Sequence, residues 1–351
     1  MVSVRLENVT KIYGKTRAVD NVSFTVGDKE FFTLLGPSGC GKTTTLRIIA
    51  GLVEPDSGSV YYDDRLMNKV PPEKRNVTMV FQNFALFPHM TVYDNIAFGL
   101  KMRGWSKTDI DRRVKEVVEL LRIQGLENKY PHQLSGGQQQ RVGLARALAP
   151  EPEIILFDEP LSNLDAILRE QIRFELRDLV KRVGITSIYV THDQAEALVV
   201  SDRLAIMRSG KIVQLGTPKE VYERPRSVFV ARFLGVATLV EGRMEEDKFF
   251  TIKATGQRLR VAHSFVEPGK TGYMVVRPEY VRLVKQGERA ENVMEGRIVK
   301  AVFLGSTIDL TIDVGGVSFR TFVKATETDV REDMPVLISL DPQRLVVVPP
   351  E

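Results

Sequence analysis

The run Gly36-Pro37-Ser38-Gly39-Cys40-Gly41-Lys42-Thr43-Thr44 is the segment whose residue types and spacing carry the most chemistry in this chain. It follows the apolar run FFTLL and continues into TLRIIAGL, which reads as a helix. GxxxxGK[ST] between a strand and a helix is a polyphosphate cradle. The glycines let backbone N–H groups turn inward on phosphate oxygens, and the helix N-terminus adds its positive end. In such a loop Lys42 reaches the β- and γ-phosphates and the Thr43 hydroxyl ligates Mg2+. The competing reading is a chance glycine-rich turn. The bare pattern arises by accident in roughly 1% of chains of this length, and the strand–loop–helix setting lowers that further. Cys40 is either a small buried filler of this loop or a thiol whose modification blocks it.

Two carboxylates, Asp158 and Glu159, end the apolar run Ile154-Ile155-Leu156-Phe157. A buried strand that presents carboxylates at its C-terminal edge places them where open α/β sheets bind ligands. Asp158 is positioned to hold Mg2+ through water, and Glu159 to polarise an attacking water. Neither Asn68-Lys69-Val70-Pro71 nor Asn128-Lys129-Tyr130-Pro131 completes the guanine-reading NKxD pattern, so adenine is the expected base.

The elements that must position these residues are visible as apolar patterning. FFTLLG (31–36), EIILFD (153–158), TSIYVTH (186–192) and RLAIMR (203–208) are short, nearly continuous apolar runs, expected as strands of a parallel sheet buried on both faces. Between them Ser106 can cap a helix whose apolar stripe is Ile110, Val114, Val117, Val118 and Leu121. After Gly235 the texture becomes β-like and punctuated by glycine. Ile308, Leu310, Ile312 and Val314 alternate with polar residues up to Gly315-Gly316, and Val317, Phe319 and Thr321 alternate back, which predicts a two-residue hairpin. GRMEEDKFFTI (242–252) and GRIVKAVFLGSTIDL (296–310) suggest two related β-units. The expectation is two domains, 1–235 and 236–351, with a helical subdomain at about 84–152.

Composition agrees with an ordinary globular chain. Of 351 residues, 43% are apolar and 27% charged, which excludes wholesale disorder. The 49 basic and 45 acidic residues leave +4, no footprint for nucleic acid. One cysteine excludes an internal disulfide and a cysteine-rich zinc site. The promising stretch free of charged residues, Asn76 to Tyr93, is broken by polar residues and Pro88, so no membrane span is expected. MVSVRLENVTKIYG has no apolar h-region, and no secretory signal is expected.

Leu134-Ser135-Gly136-Gly137-Gln138, followed by Gln140-Arg141 and lying between the phosphate loop and Asp158, resembles the signature of ABC-transporter ATPase subunits. The resemblance covers about Val2 to Leu234. It implies an α/β P-loop NTPase fold, an ABC cassette with a RecA-like core and a helical subdomain. Its cofactors are ATP and Mg2+. It further implies that Tyr13 stacks on adenine, that Gln82 is the Q-loop glutamine near the metal, and that Asp165 closes the D-loop Ser162–Asp165. His192 becomes the switch histidine at the γ-phosphate. Taken alone, Tyr13 reads as a half-buried strand residue and His192 as a hydrogen-bonded core histidine. In the family the Ser135, Gly136, Gly137 and Gln138 segment covers the nucleotide of a second cassette, so the active unit is a dimer with itself or a paralogous cassette. The partners implied are two transmembrane permease subunits and, through them, an extracytoplasmic substrate-binding protein. The place implied is the cytoplasmic face of the membrane, peripherally. Phe84, Leu86, Phe87 and Met90 form either the socket for a permease coupling helix or part of the helical subdomain's interior.

Other branches fit less well. Fused exporters carry membrane helices on the same chain. Chromosome and repair ATPases insert a long coiled coil between P-loop and signature. Translation-factor relatives carry two cassettes. VRPEYVRLV (276–284) and GRIVKAVFLGSTIDL are similar to the all-β, OB-like TOBE regulatory domain of maltose/trehalose-type importer ATPases. SNLDA, YVTHDQAEA and HMTVYDNIAFGL resemble the carbohydrate branch, whereas FVARFLGVATLVEG (229–242) is closer to the iron and polyamine branches. Sugar is the expected cargo, with ferric iron, polyamine or another small solute as the alternative, and a non-transport ATPase as the reading from a different class.

Overall fold

The computed structural model describes residues 2–326 and 329–351. The chain divides into two compact units, one ending at Pro218 and the other starting at Lys219.

The first unit is organised by a six-stranded sheet. β3 (Phe31–Leu35), β6 (Val77–Val80), β7 (Ile154–Asp158), β8 (Thr186–Thr191), β9 (Arg203–Arg208) and β10 (Lys211–Gly216) stand in the order β10-β9-β3-β8-β7-β6. Every pair is parallel except the β9–β10 hairpin. All five residues of β3 and all six of β8 are buried. Successive side chains point to opposite faces, so each strand feeds two cores. Phe31, Ile155, Phe157 and Tyr189 enter one. Phe32, Leu34, Ile154, Leu156, Ile188 and Val190 enter the other.

Each core is closed by a different layer. On the second face lie α1 (Lys42–Ala50) and a sheet of β1 (Val4–Tyr13), β2 (Thr16–Val26), β4 (Ser57–Tyr62) and β5 (Arg65–Leu66), in the order β2-β1-β4-β5. On the first lie α2 (Val92–Met102), α3 (Lys107–Leu120), α4 (Gly136–Leu148) and α5 (Ala166–Val183). Ser106 caps α3 by accepting from Asp109 N, and Ile110, Val114, Val117 and Val118 form its buried stripe, as the spacing predicts.

The second unit contains two sheets built alike. β11 (Thr238–Met244), β12 (Phe249–Ile252) and β13 (Arg258–Arg260) form a meander, with β15 (Thr271–Val276) beyond β11 and β14 (His263–Ser264) at the far edge. β17 (Val293–Phe303), β18 (Thr307–Val314) and β19 (Val317–Lys324) repeat the meander, with β20 (Pro335–Leu340) beyond β17. The two repeats then exchange a strand. β15 turns through Pro278–Tyr280 into β16 (Val281–Val284), which pairs with β20; β20 turns through Pro342–Arg344 into β21 (Val346–Val348), which pairs with β15. Gly242 and Gly296 hold equivalent places. A Cβ on Gly242 would lie 2.3 Å from Thr251 O, and one on Gly296 2.8 Å from Asp313 O. The predicted hairpin at Gly315-Gly316 joins β18 to β19 in register, Val314 opposite Val317. Arg277, 1% exposed, stacks on Tyr222 and donates to Tyr222 O and Leu234 O, fastening 222–234 within this unit.

Candidate nucleotide site

Four neighbouring strands of the parallel sheet end at one edge, and each releases a predicted site residue there. β3 runs into Gly36, β8 into His192, β7 ends in Asp158 and leads to Glu159, and β6 leads two residues later to Gln82. Register fixes their neighbourhood, with Leu35 opposite Thr191 and Asp158 opposite Val190. The carboxyl edge of an open parallel sheet is where α/β folds take ligands.

In the loop 36–41 contact excludes a side chain at Gly36, where a Cβ would lie 2.4 Å from Met207 O, and at Gly41. Gly41, the N-cap of α1, has φ 105°, and a Cβ there would lie 2.1 Å from Ala18 O. Ala18 follows the β1–β2 turn, so the exposed Tyr13 stands on a hairpin that abuts the loop, with Lys11 Nζ 5.6 Å from its ring centroid. Lys42 is only 4% exposed, and its ammonium donates to Gly36 O at 2.8 Å and Pro37 O at 3.0 Å. Cys40 is buried, and burial pushes its thiol pKa up.

Thr43 Oγ1 donates to Asp158 Oδ1 at 2.9 Å. Burial raises the Asp158 pKa, and the Thr43 bond only partly opposes it. Glu159 takes φ 47°, a left-handed conformation that costs a residue with a side chain about 1–3 kcal/mol. It is held there by its own N–H on Val190 O (3.0 Å) and by Ser162, whose N–H and hydroxyl both donate to Glu159 O. His192 Nδ1 lies 3.0 Å from Glu159 Oε2; a carboxylate only accepts, so Nδ1 carries the proton.

The remaining predicted residues are placed as follows. Gln82 is exposed, and its carbonyl accepts from Asn163 Nδ2 at 3.0 Å, which ties it to the 162–165 loop. Asp165 caps α5 by accepting from Leu168 N. Ser135 caps α4 in a reciprocal box with Gln138, each side chain on the other's N–H. Among the described residues Ser135–Gln138 share no hydrogen bond with the 36–44 loop. Phe84 is buried with Leu161, Leu164 and Ile172, which places it in the interior rather than a socket. Phe84 and Ala85 are both left-handed, and Arg146 of α4 donates to the carbonyls of both. Sequence reasoning passed over Arg146 and Arg169. The spacing Asp165–Arg169, one helical turn past an N-cap, is the signal available for the second.

The family model described as ABC transporter matches residues 19–162, and the TOBE domain model matches 274–348. A spermidine/putrescine import ATP-binding protein of Rubrobacter xylanophilus is 49% identical over 87% of this chain and 82% of its own length. A trehalose/maltose import ATP-binding protein of Thermococcus litoralis is 44% identical over 98% and 97%. Among solved structures, a dimeric ATP-binding cassette in a post-hydrolysis state with ADP and Pi superposes with TM-score 0.55 at 34% identity, covering 61% of this chain and 98% of that one. With a P-loop site at the sheet edge, a capped LSGGQ helix and full-length relatives of this kind, the chain belongs to the family of ABC-importer ATP-binding subunits and is an ATPase.

Proposed function

We propose that the chain binds MgATP at the 36–44 loop and hydrolyses it to drive solute uptake through two separate permease subunits. The observation that carries the reading is the grouping of Lys42, Thr43, Asp158, Glu159 and His192 at neighbouring strand ends, with Glu159 and His192 3.0 Å apart. Backbone N–H groups of the loop and of the α1 N-terminus bind phosphate oxygens, and Tyr13 stacks on adenine. Lys42 exchanges carbonyl partners for phosphate oxygens. Thr43 and Asp158 suit a hard cation, since a hydroxyl and a desolvated carboxylate meet there, and Gln82 completes the set. When bound, Mg2+ supplies charge neutralisation on the phosphates. Glu159 orients a water and takes its proton as the water attacks the γ-phosphorus; the bond from that phosphorus to the β–γ bridging oxygen breaks, ADP leaves and phosphate is formed, while His192 leaves Nε2 for the γ-phosphate.

The second half of each site comes from a second copy, or a paralogous cassette. Ser135, Gly136, Gly137 and Gln138 at the α4 N-terminus cover the nucleotide of the partner, and Asp165 stands at the same seam. Dimer closure excludes bulk water. No helix among the described residues is long and apolar enough to cross a membrane, in keeping with a peripheral position at its cytoplasmic face. Cargo reaches the permease from an extracytoplasmic binding protein, and no nucleic acid takes part. Sugar stands first as cargo because the trehalose/maltose relative aligns with the chain nearly end to end, C-terminal unit included. A polyamine is the second reading, on the 49% identity of the spermidine/putrescine relative; ferric iron or another small solute follows. The test is uptake by the reconstituted transporter. Lys42→Ala abolishes ATP-driven uptake of a labelled disaccharide; uptake that survives it contradicts the motor assignment, and uptake of spermidine alone transfers the cargo to the second reading.

A further inference from the structure

Arg169, near the start of α5, touches both loops that flank the Glu159–His192 pair. Its Nη2 donates to Leu164 O at 2.9 Å and Ser162 O at 3.3 Å. Nη1 lies 3.7 Å from Asp193 Oδ2, and Nε 3.9 Å from Glu196 Oε1. Glu196 is 3% exposed, and its Oε2 already accepts from the Tyr189 and Thr191 hydroxyls, leaving Oε1 for the guanidinium. Arg169 Nε is itself buried and, among the described residues, has no hydrogen-bond partner.

These contacts close a ring. Arg169 holds the Ser162 carbonyl, while the Ser162 N–H and hydroxyl hold the Glu159 carbonyl. Glu159 meets His192, which sits between Thr191 and Asp193, and Thr191 is tied to Glu196, which faces Arg169. A left-handed glutamate persists only where its surroundings over-determine it. The planar, permanently charged fork of arginine can bind two carbonyls on one loop and face two carboxylates on another. We propose that Arg169 is a positioning residue: by holding the 162–165 loop and the 191–196 turn together, it sets Glu159 against His192. The inference rests on the roles proposed above for those two residues.

The experiment measures steady-state ATPase, binding of a fluorescent ATP analogue and thermal unfolding of the chain as R169M, R169K, E196Q, H192A, R169M/H192A and E159Q. A misplacement of about 1 Å in a catalytic pair lowers turnover by up to about a hundredfold, so R169M is expected to lose about ten- to a hundredfold in kcat with analogue affinity unchanged. R169K recovers part of the loss. R169M added to H192A costs less than R169M added to the wild type, because both break one arrangement. Losses that multiply, or a fall in affinity and stability with kcat preserved, overturn the proposal. Should R169M fail to fold, E196Q carries the test, since it keeps both hydroxyl partners and drops the charge: wild-type kcat in E196Q overturns the proposal, and lowered kcat at unchanged affinity supports it. Failure of the underlying reading shows separately, as wild-type turnover in E159Q.

Discussion

Replacing Arg75 by methionine isolates the scaffold beneath the phosphate loop from the loop itself. Arg75 is 3% exposed and spends its guanidinium on four carbonyls: Ile48 O and Ile49 O at the end of α1, Met67 O, and Val70 O. It thus places a cation on the negative end of the helix that begins with Lys42. Gly51 makes room for it, since a Cβ there would lie 2.4 Å from Arg75 Nε. In R75M three of the carbonyls keep another donor: Ile48 O has Gly51 N, Ile49 O has the Tyr62 hydroxyl, and Met67 O has Val70 N. Val70 O loses its side-chain donor. An orphaned acceptor costs about 1–3 kcal/mol, toward the low end for the half-buried Val70 O, lost charged bonds add to this, and relief from burying a cation subtracts, for a net loss of about 3 kcal/mol. At about 2–4 °C per kcal/mol for a unit of this size, the melting temperature falls by about 6–12 °C. Differential scanning fluorimetry measures it. No Arg75 bond reaches residues 36–44, so turnover well below the melting range stays near that of the parent. A shift under about 2 °C refutes the bond accounting. Loss of ATP affinity in a folded R75M refutes the separation of scaffold from site.

Asp158→Asn trades activity for stability. Burial holds the Asp158 pKa above its ordinary value, so the charged carboxylate penalises the fold above the folded pKa, and the penalty vanishes once pH falls below the unfolded pKa. D158N is therefore expected to melt above the parent at neutral pH without nucleotide, an advantage that closes as the solution is acidified, while hydrolysis is lost. A lower melting point for D158N at neutral pH contradicts the sign. Gly41→Ala forces a Cβ against Ala18 O at a left-handed position, and equilibrium binding of a fluorescent ATP analogue should disappear from a protein that still melts cooperatively. Retained binding means the loop can rearrange around a side chain.

What could be read from the chain alone was what periodicity and short-range chemistry encode. Strands β3, β7, β8 and β9 announce themselves because both faces are buried, so apolar residues run without a break. The β1–β2–β4 sheet is harder to see because irregularities between Leu6 and Val9, and again between Val9 and Lys11, interrupt the alternation. The strand exchange in the C-terminal unit is carried by pieces as short as β16 and β21, four and three residues, too brief to reveal their partners. The phosphate loop was legible because its residues are contiguous. Arg75, Arg146, Arg169 and Arg277 were not, because arginine reads as a surface residue. Their carbonyl acceptors come from helix ends and turns that only the fold brings to them. Ser135, Gln138 and Asp165 were read for the site, and the structure adds that each is also a helix cap, a local role that the same sequence pattern encodes.

The central claim, that ATP is hydrolysed with Glu159 as the base, is tested most directly by single-turnover hydrolysis in Glu159→Gln. The amide keeps the size of the side chain, and the Ser162 and Val190 contacts that hold residue 159 are made by its backbone. The account predicts MgATP binding at parental affinity, a turnover lowered by about 10²–10⁴-fold, and an ATP-bound dimer that persists on size exclusion. Turnover in E159Q close to that of the parent would contradict it.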